Sequence, residues 1–267
     1  MSLPRRLLPL TLLLCGAPCA AQGEPKPATA WCVEGATTLA DGMCYFEPPL
    51  AEAGQGDGTA PSQPANTLIV FLHSLVRADS DWQYEQQRLM MRTASAMNVA
   101  LLMPRGRRGI GPGRDQRTVA WPGSPNTQEL YEADVLSEWD RARTSVEAKR
   151  GQRFSRLLIF GFSNGAYYGT TLAVRNRYPA DGYGLFAGGS GSKYNRVLAS
   201  RSGAKVPVFV GYGTKDPAHA DMQSLARMLG DLGWPHQVKA ANIGHWVSDA
   251  QLQAAIRFLV HSAPVSE

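Results

Sequence analysis

The fold is decided by residues 157–165, Leu157-Leu158-Ile159-Phe160-Gly161-Phe162-Ser163-Asn164-Gly165. The first part is an unbroken apolar run, which predicts a strand buried on both faces. A helix candidate, residues 166–178, follows directly. Ser163 therefore stands on a sharp strand-to-helix turn, where its backbone must take a strained angle. Side chains at positions 161 and 165 would collide there, so glycine is needed at both.

Strand and helix patterns alternate over residues 67–267. Strand candidates lie at 67–72, 99–103, 157–160, 184–187, 206–210 and 237–241, and several are apolar without alternation, as strands buried on both faces should be. Between them, Asn126 and Glu129 form a capping-box pattern for a helix whose apolar face holds Tyr131, Val135, Trp139, Ala142 and Val146. A further amphipathic helix ends near Gly233. The alternation predicts an α/β domain with a mostly parallel central sheet flanked by helices.

The first 21 residues have the pattern of a signal peptide. Arg5 and Arg6 precede the apolar run 7–14, and small residues ending in Cys19-Ala20-Ala21 follow. An uncleaved anchor is the weaker alternative because the run is short for a bilayer. A lipoprotein modified at Cys15 or Cys19 is also weaker, since Leu14 and Pro18 stand where small residues are wanted. We therefore expect a secreted or periplasmic protein.

Residues 22–66 are expected to hold a polar leader, a β-hairpin and a linker. The hairpin would pair residues 31–33 with 43–46, with Asp41-Gly42 in the turn. Cleavage after residue 21 leaves Cys32 and Cys44 as the cysteines of the mature chain. An even pair in an exported protein predicts a disulfide, with two buried thiols as the alternative. Residues 48–66 are rich in Pro, Gly and Ala, which favours a linker.

Composition excludes several classes of protein. A chain of 267 residues that is 44% hydrophobic and 18% charged is neither disordered nor larger than about one core domain. Beyond the first 20 residues no apolar run is long enough to cross a bilayer. Without Arg5 and Arg6 the 27 basic residues become 25 against 22 acidic ones, a net charge of +3 that suggests no nucleic-acid partner. No metal cluster, dinucleotide fingerprint or Walker loop occurs, so no cofactor is expected.

Gly-x-Ser-x-Gly between a strand and a helix predicts that Ser163 is a nucleophile. A serine hydroxyl needs a general base, and the base needs an orienting carboxylate, in the chain order Ser, acid, His on this kind of sheet. Asp216 follows the strand at 206–210, and its alternative role is a helix cap. His245 follows the strand candidate at 237–241, just before the last helix. We therefore predict a Ser163–His245–Asp216 triad.

Two backbone N–H groups are candidates for stabilising a developing oxyanion. One belongs to Asn164, the residue after the nucleophile. The other should come from the loop after the strand at 67–72, where Leu75 is favoured over Ser74. His73, which precedes Ser163 in the chain, is expected to orient this loop rather than act as the base.

With these motifs in place, residues 67–261 resemble the α/β-hydrolase superfamily, in particular its serine carboxylesterase, phospholipase and acyl-protein thioesterase group. The matching elements are Leu72-His73 with a later Asp81-Trp82, Gly161 to Gly165, Gly213-Thr214-Lys215-Asp216 and Gly244-His245. Ser74 departs from the group, which has glycine at that position. The secreted polyester depolymerase and feruloyl esterase group is similar in plan. The resemblance implies the same triad and hydrolysis of an ester or thioester through an acyl-enzyme.

Candidate substrate-binding residues surround the predicted site. Segment 104–123 carries five arginines, among them Arg107 and Arg108, which could attract an anionic substrate or simply face solvent. Trp82, Trp121 and Trp246 follow predicted strands and could line a pocket or pack inside. The substrate would be a small or polymeric ester. An acyltransferase with the same triad and a non-catalytic binding protein on this fold are the alternatives, and the oligomeric state is left open.

Overall fold

The computed structural model describes residues 30–50 and 65–262. The predicted signal peptide 1–21, the leader up to residue 29 and most of the linker (51–64) lie outside the described residues. In the described part, no helix combines the length and apolarity that a membrane span requires.

The centre of the molecule is an eight-stranded sheet in the order β1-β2-β5-β3-β8-β9-β10-β11. Its strands are β1 (Thr37–Thr38), β2 (Cys44–Phe46), β3 (Thr67–Leu72), β5 (Ala100–Met103), β8 (Arg156–Phe162), β9 (Gly182–Phe186), β10 (Val208–Gly213) and β11 (His236–Ala241). Six neighbouring strands are parallel to one another: β5, β3, β8, β9, β10 and β11. At one edge, β2 pairs antiparallel with β5 and β1 pairs antiparallel with β2. A strand lies at each of the six predicted runs, within about three residues of the expected bounds. β11, at the edge of the sheet, is largely exposed or half-buried.

Helices cover both faces of the sheet, as expected from strands with two apolar faces. The helices are α1 (Trp82–Met97), α2 (Pro125–Arg150), α3 (Asn164–Val174), α4 (Lys193–Arg201), α5 (His219–Asp231) and α6 (Asp249–His261). Apolar residues of α2, α3 and α5 pack on one face, with Leu68, Val70 and Leu72 of the sheet. Those of α1 and α6 pack on the other face, with Ile69 and Phe71. The predicted α/β class with a mostly parallel central sheet is therefore confirmed.

A second, three-stranded antiparallel sheet is formed by short segments that follow β3 and β5 in the chain. It is made of β4 (Val76–Arg77), β7 (Thr118–Ala120) and β6 (Arg107–Arg108), in that order. Gly106 enters this sheet so close to β7 that a Cβ there would lie 2.3 Å from the Ala120 carbonyl oxygen. The arginine-rich segment is thus partly folded into a sheet.

Two local predictions need correction. Residues 31–33 are not a strand; β2 pairs with Thr37–Thr38 instead, and residues 40–42 form a turn of 3-10 helix. The start of α2 is capped by Ser124 with Thr127 and Pro125, not by Asn126 with Glu129. Proline at the first helical position and a hydroxyl cap directly before it explain the earlier start. Tyr131 is 36% exposed, whereas Val135, Trp139, Ala142 and Val146 are buried as predicted.

The N-terminal segment is fastened to the domain by covalent and polar links. Cys32 and Cys44 form the predicted disulfide. The buried side chain of Gln87 accepts from the Val33 N–H (2.8 Å) and donates to the Trp31 carbonyl (3.0 Å). The disulfide therefore joins β2 to a segment that is itself held against α1.

Candidate active site

Ser163 occupies the strained turn that the sequence predicted. It lies between β8 and α3 with φ 53° and ψ −115°, a left-handed backbone that is rare outside glycine. A Cβ at Gly161 would lie 2.4 Å from the Gly165 carbonyl oxygen, and one at Gly165 would lie 2.1 Å from that of Leu72. Such contacts are impossible for a side chain, so the two glycines allow the turn. The turn lifts the Ser163 hydroxyl above the carboxyl edge of the sheet.

The three predicted triad residues form one hydrogen-bonded chain. His245 Nε2 lies 2.9 Å from Ser163 Oγ. On the other side of the ring, His245 Nδ1 lies 2.9 and 3.0 Å from the two carboxylate oxygens of Asp216. The Asp216 side chain is fully buried, whereas that of His245 is 43% exposed. The imidazole is therefore fixed from inside and open toward solvent on the side where a substrate would approach.

The adjacent parallel strands β10 and β11 bring the acid and the histidine together. Beyond β10, the Thr214 N–H donates to the Ala241 carbonyl and the Lys215 N–H to that of Ile243. Gly213 comes so close to the His245 loop that a Cβ would lie 2.3 Å from the Ile243 and Gly244 carbonyl oxygens. The Ala218 N–H also donates to Asp216 Oδ1 at 2.8 Å. Asp216 thus orients the His245 ring while one of its oxygens is held by the backbone.

The loop after β3 borders the serine turn. Gly165 approaches the carbonyls of Leu72 and His73, so this loop and the turn pack backbone against backbone. The Ser74 N–H donates to Gln86 Oε1 at 2.9 Å and is therefore occupied. Among the described residues, the N–H groups of Leu75 and Asn164 have no recorded hydrogen-bond partner. Both donors that the sequence predicted for an oxyanion are thus free of protein acceptors in this part of the chain.

His73 organises this loop. Its side chain is buried (3% exposed); Nδ1 donates to the Ser74 carbonyl (2.5 Å) and Nε2 accepts from the Gly106 N–H (3.0 Å). Burial lowers the pKa of His73 to about 4, and the charge of Arg105 acts in the same direction. A neutral ring with both nitrogens engaged cannot serve as a base, which agrees with its predicted orienting role.

The three candidate tryptophans fall in different surroundings. Trp82, 40% exposed, and Trp246 form a tilted ring pair at 5.1 Å, and Trp246 also lies 5.5 Å from Phe162. Trp121 is instead 1% exposed and lies in the core against Trp139 and Tyr168, so it cannot line a pocket. Trp121 ties the site together: its backbone N–H donates to Asn164 Oδ1 (2.9 Å) and its Nε1–H to the His73 carbonyl (2.8 Å).

The arginines of segment 104–123 are largely engaged. Arg107 donates to Glu138 of α2 at 2.6 Å, and Arg117 pairs with Asp115. Arg105 lies over the Trp31 ring at 5.0 Å. Arg108 is exposed and has no ion pair within residues 30–50 and 65–262. Of the two predicted arginines, Arg107 thus forms an ion pair with α2, and Arg108 faces solvent.

Gln86 is the residue of the site region that the sequence reasoning missed. Its buried side chain holds Ser74 from both sides: Oε1 accepts from the Ser74 N–H and Nε2 donates to Ser74 Oγ at 2.9 Å. A signal was available, because Gln83, Gln86 and Gln87 repeat at helical spacing and all three are buried. Uncharged polar residues on the inward face of a helix indicate buried polar partners.

Over the described ranges, no group of three or more metal-ligating side chains occurs.

Comparison with known proteins identifies the fold. No protein-family model and no curated protein sequence matches the chain. Among solved structures, Arabidopsis thaliana SOBER1 is similar with a TM-score of 0.55 and 19% identity, covering 73% of this chain and 98% of its own. The structure titled esterase PE8 is similar with a TM-score of 0.52 and 18% identity, covering 74% of this chain and 94% of its own. A Bacillus cereus carboxylesterase is similar with a TM-score of 0.51 and 15% identity, over 82% and 92% of the two chains. This chain has the α/β-hydrolase fold.

Proposed function

We propose that this protein is a serine hydrolase that cleaves carboxylic esters through an acyl-enzyme intermediate. The observation that carries the proposal is the hydrogen-bonded chain from Asp216 through His245 to Ser163 on a strained turn. That arrangement is the set of partners that nucleophilic catalysis by a serine requires. The proposal also draws on the esterase and carboxylesterase named among structures of the same fold.

In the first half of the reaction, Ser163 Oγ attacks the ester carbonyl carbon and its proton passes to His245 Nε2. The Nδ1–H of His245 stays hydrogen-bonded to Asp216, which keeps the ring in the tautomer whose Nε2 is free to accept a proton. Once the ring is protonated, the buried carboxylate stabilises the imidazolium. The tetrahedral intermediate then collapses, and Nε2–H protonates the leaving alkoxide. An acyl group remains on Ser163.

The negative charge that develops on the carbonyl oxygen is stabilised by the N–H groups of Asn164 and Leu75. Removing one such donor from other serine enzymes lowers kcat by about 10²–10³. In the second half, water attacks the acyl carbonyl carbon while His245 Nε2 takes its proton. The ring then donates this proton to Ser163 Oγ as the carboxylic acid leaves. The half-exposed His245 ring gives that water access from solvent.

The proposed place of action is outside the cytoplasm. The charge and apolar pattern of residues 1–21 and the disulfide between Cys32 and Cys44 support export. The leaving group in this proposal is an alcohol. A thioester would follow the same steps with a thiol leaving group.

The test is turnover of short nitrophenyl esters by the purified mature chain and by Ser163→Ala. We expect release of nitrophenol by the wild type and a loss of about 10⁴-fold or more in the variant. Absence of turnover by the wild type over a panel of acyl lengths, with the protein folded, would contradict the proposal. Product analysis with an added alcohol acceptor would detect transfer in place of hydrolysis.

A further inference from the structure

We propose that Ser74 is a positioning residue that holds Trp82 against the active site, where Trp82 and Trp246 bind an aromatic group of the ester substrate. This inference rests on the proposed function and names the substrate class of the same site. The indole pair Trp82 and Trp246 is called the tryptophan wall below.

Ser74 is the centre of a compact hydrogen-bond network. Its hydroxyl oxygen accepts from Trp82 Nε1 (3.0 Å) and from Gln86 Nε2 (2.9 Å), and the hydroxyl donates to the Leu75 carbonyl (3.3 Å). Its own N–H donates to Gln86 Oε1 at 2.9 Å. Ser74 and Gln86 are both buried, at 4% and 2% exposure. Hydrogen bonds in such a buried cluster hold its members in one arrangement.

The network fixes the orientation of an otherwise exposed side chain. Trp82 stands at the first turn of α1 and is 40% exposed. An indole has one N–H donor, and here it points inward to Ser74. The ring face is thereby left to solvent and to Trp246. Glycine at position 74, as in the group that the sequence resembles, would offer no acceptor for the indole.

The tryptophan wall lies between the two loops that flank Ser163. Trp82 is hydrogen-bonded to Ser74, the residue before Leu75, and its ring contacts Trp246, the residue after His245. Phe162, directly before Ser163, lies 5.4 Å from the His245 ring and 5.5 Å from Trp246. Leu75 adds an apolar side chain that is 38% exposed.

The chemistry of this surface fits a flat apolar group. Indoles bind aromatic rings by offset or edge-to-face contact, which adds to the stabilisation from burial of apolar area. With its N–H already engaged, Trp82 offers a substrate its ring alone. The wall is adjacent to both the oxyanion donors and the base, so the ring could belong to either the acyl or the alcohol part of the ester.

The experiment compares kcat/KM within two pairs of esters: benzoate against acetate of one alcohol, and benzyl against ethyl ester of one acid. The variants are Trp82→Ala, Trp82→Phe, Ser74→Ala and the double variant Ser74→Ala with Trp82→Phe. Trp82→Phe keeps a ring but removes the donor that Ser74 accepts. Ser95→Ala, an exposed serine at the other end of α1, is the matched control.

We expect Trp82→Ala to lower the aromatic preference in at least one pair about tenfold. Ser74→Ala and Trp82→Phe should each lower it about fivefold, the size of one hydrogen bond, and the double variant should lower it no further. Ser95→Ala should leave it unchanged. A purely structural role for Ser74 would instead lower kcat/KM for all four esters alike.

Four other results would overturn the inference. If the wild type hydrolyses the esters but Trp82→Ala keeps the wild-type aromatic preference, the wall does not bind the ring, while the proposed function stands. If Ser74→Ala and Trp82→Phe act additively, Ser74 does not work through Trp82. Trp82→Ala and Trp82→Phe alter an exposed side chain, so they decide the outcome even if Ser74→Ala does not fold. If the wild type hydrolyses short nitrophenyl esters but none of the four esters, the inference fails and the proposed function stands. If it hydrolyses neither set, the proposed function fails and the inference with it.

Discussion

Two loops at the same edge of the sheet each carry a histidine, and they use it in opposite ways. His73 follows β3, is 3% exposed, and has Nδ1 on the Ser74 carbonyl and Nε2 on the Gly106 N–H. His245 follows β11, is half-exposed, and has Nδ1 on the Asp216 carboxylate and Nε2 on the Ser163 hydroxyl. The side chains are identical, so the difference lies in what surrounds them.

The partners decide which histidine can move a proton. Backbone groups occupy both nitrogens of His73, and burial lowers its pKa to about 4. The ring therefore stays neutral at neutral pH and holds two loops together. In contrast, His245 faces a hydroxyl and a buried carboxylate, which in the proposed mechanism give up a proton and stabilise the resulting charge. In that proposal, one loop supplies rigidity to the site and the other supplies its chemistry.

The largest effect should come from removing the reactive ring. We expect His245→Ala to lower kcat for a short ester by about 10⁴–10⁶-fold, because within the described residues no other base is hydrogen-bonded to Ser163 Oγ. The free energy of unfolding should change little, because the His245 side chain is half-exposed. Steady-state kinetics with His261→Ala, an exposed histidine on α6, as control would measure this. More than about one per cent residual activity would show that His245 is not the base.

Next in size is the loss of the carboxylate behind that ring. Asp216→Asn keeps the shape but can donate to Nδ1, which favours the tautomer whose Nε2 carries the proton. We expect kcat to fall by about 10³–10⁴-fold, with the fold retained. Kinetics together with a circular dichroism spectrum would separate the two effects. A decrease of less than tenfold would mean that Asp216 only holds the backbone before α5, through the Ala218 N–H.

His73 should instead govern the pH dependence of stability. The pKa of His73 is about 4 in the folded chain against an ordinary value of 6.5, so the unfolded chain binds more protons between these values. The contribution of His73 to the free energy of unfolding is therefore fully present above pH 6.5. It is lost as the pH falls toward 4, and it amounts to about 3 kcal/mol at most.

Urea unfolding of the wild type and His73→Gln at pH 7.5, 5.5 and 4.5 measures this contribution. The variant should be less stable at pH 7.5 and should lose less stability on acidification. His261→Gln, altered at an exposed position, should keep the wild-type dependence. Parallel curves for the wild type and His73→Gln would assign the acid sensitivity to other groups.

The smallest effect should come from removing the hydrogen bond between Trp121 Nε1 and the His73 carbonyl, which supports the His73 loop. Trp121→Phe removes the donor to the His73 carbonyl while keeping an aromatic ring in the core. We expect a loss of about 1–3 kcal/mol in unfolding free energy, from the orphaned carbonyl together with lost volume. Trp234→Phe is the matched control, because it is buried and its Nε1 has no hydrogen-bond partner among the described residues. Equal losses in the two variants would leave the bond without a measurable role.

The sequence was sufficient for those parts of the molecule that repeat or follow the chain order. Apolar runs located the six parallel strands, and the positions of Asp216 and His245 after consecutive strands made them neighbours. Parallel strands bring their carboxyl ends to one edge, so chain order alone implies proximity there. The disulfide was predicted from the two cysteines that remain if residues 1–21 are removed as a signal peptide.

Features that depend on distant contacts could not be predicted in the same way. The pairing of β2 with Thr37–Thr38 is a choice between short segments of similar propensity. Burial of Trp121 depends on α2 and α3, and the ion pair of Arg107 joins residues 31 positions apart. In the sequence, Ser74 is only a serine at a position where the resembled group has glycine. Its hydrogen bonds with Gln86 and Trp82 depend on how α1 packs and are visible only in the structure.

The most direct test of the account is labelling of the folded protein with a fluorophosphonate, followed by mapping of the modified peptide. These probes react with a serine hydroxyl only where a base activates it. The account predicts a single modification at Ser163, its absence in Ser163→Ala and strongly slowed labelling in His245→Ala. Modification of another serine, or labelling that persists in Ser163→Ala, would contradict it.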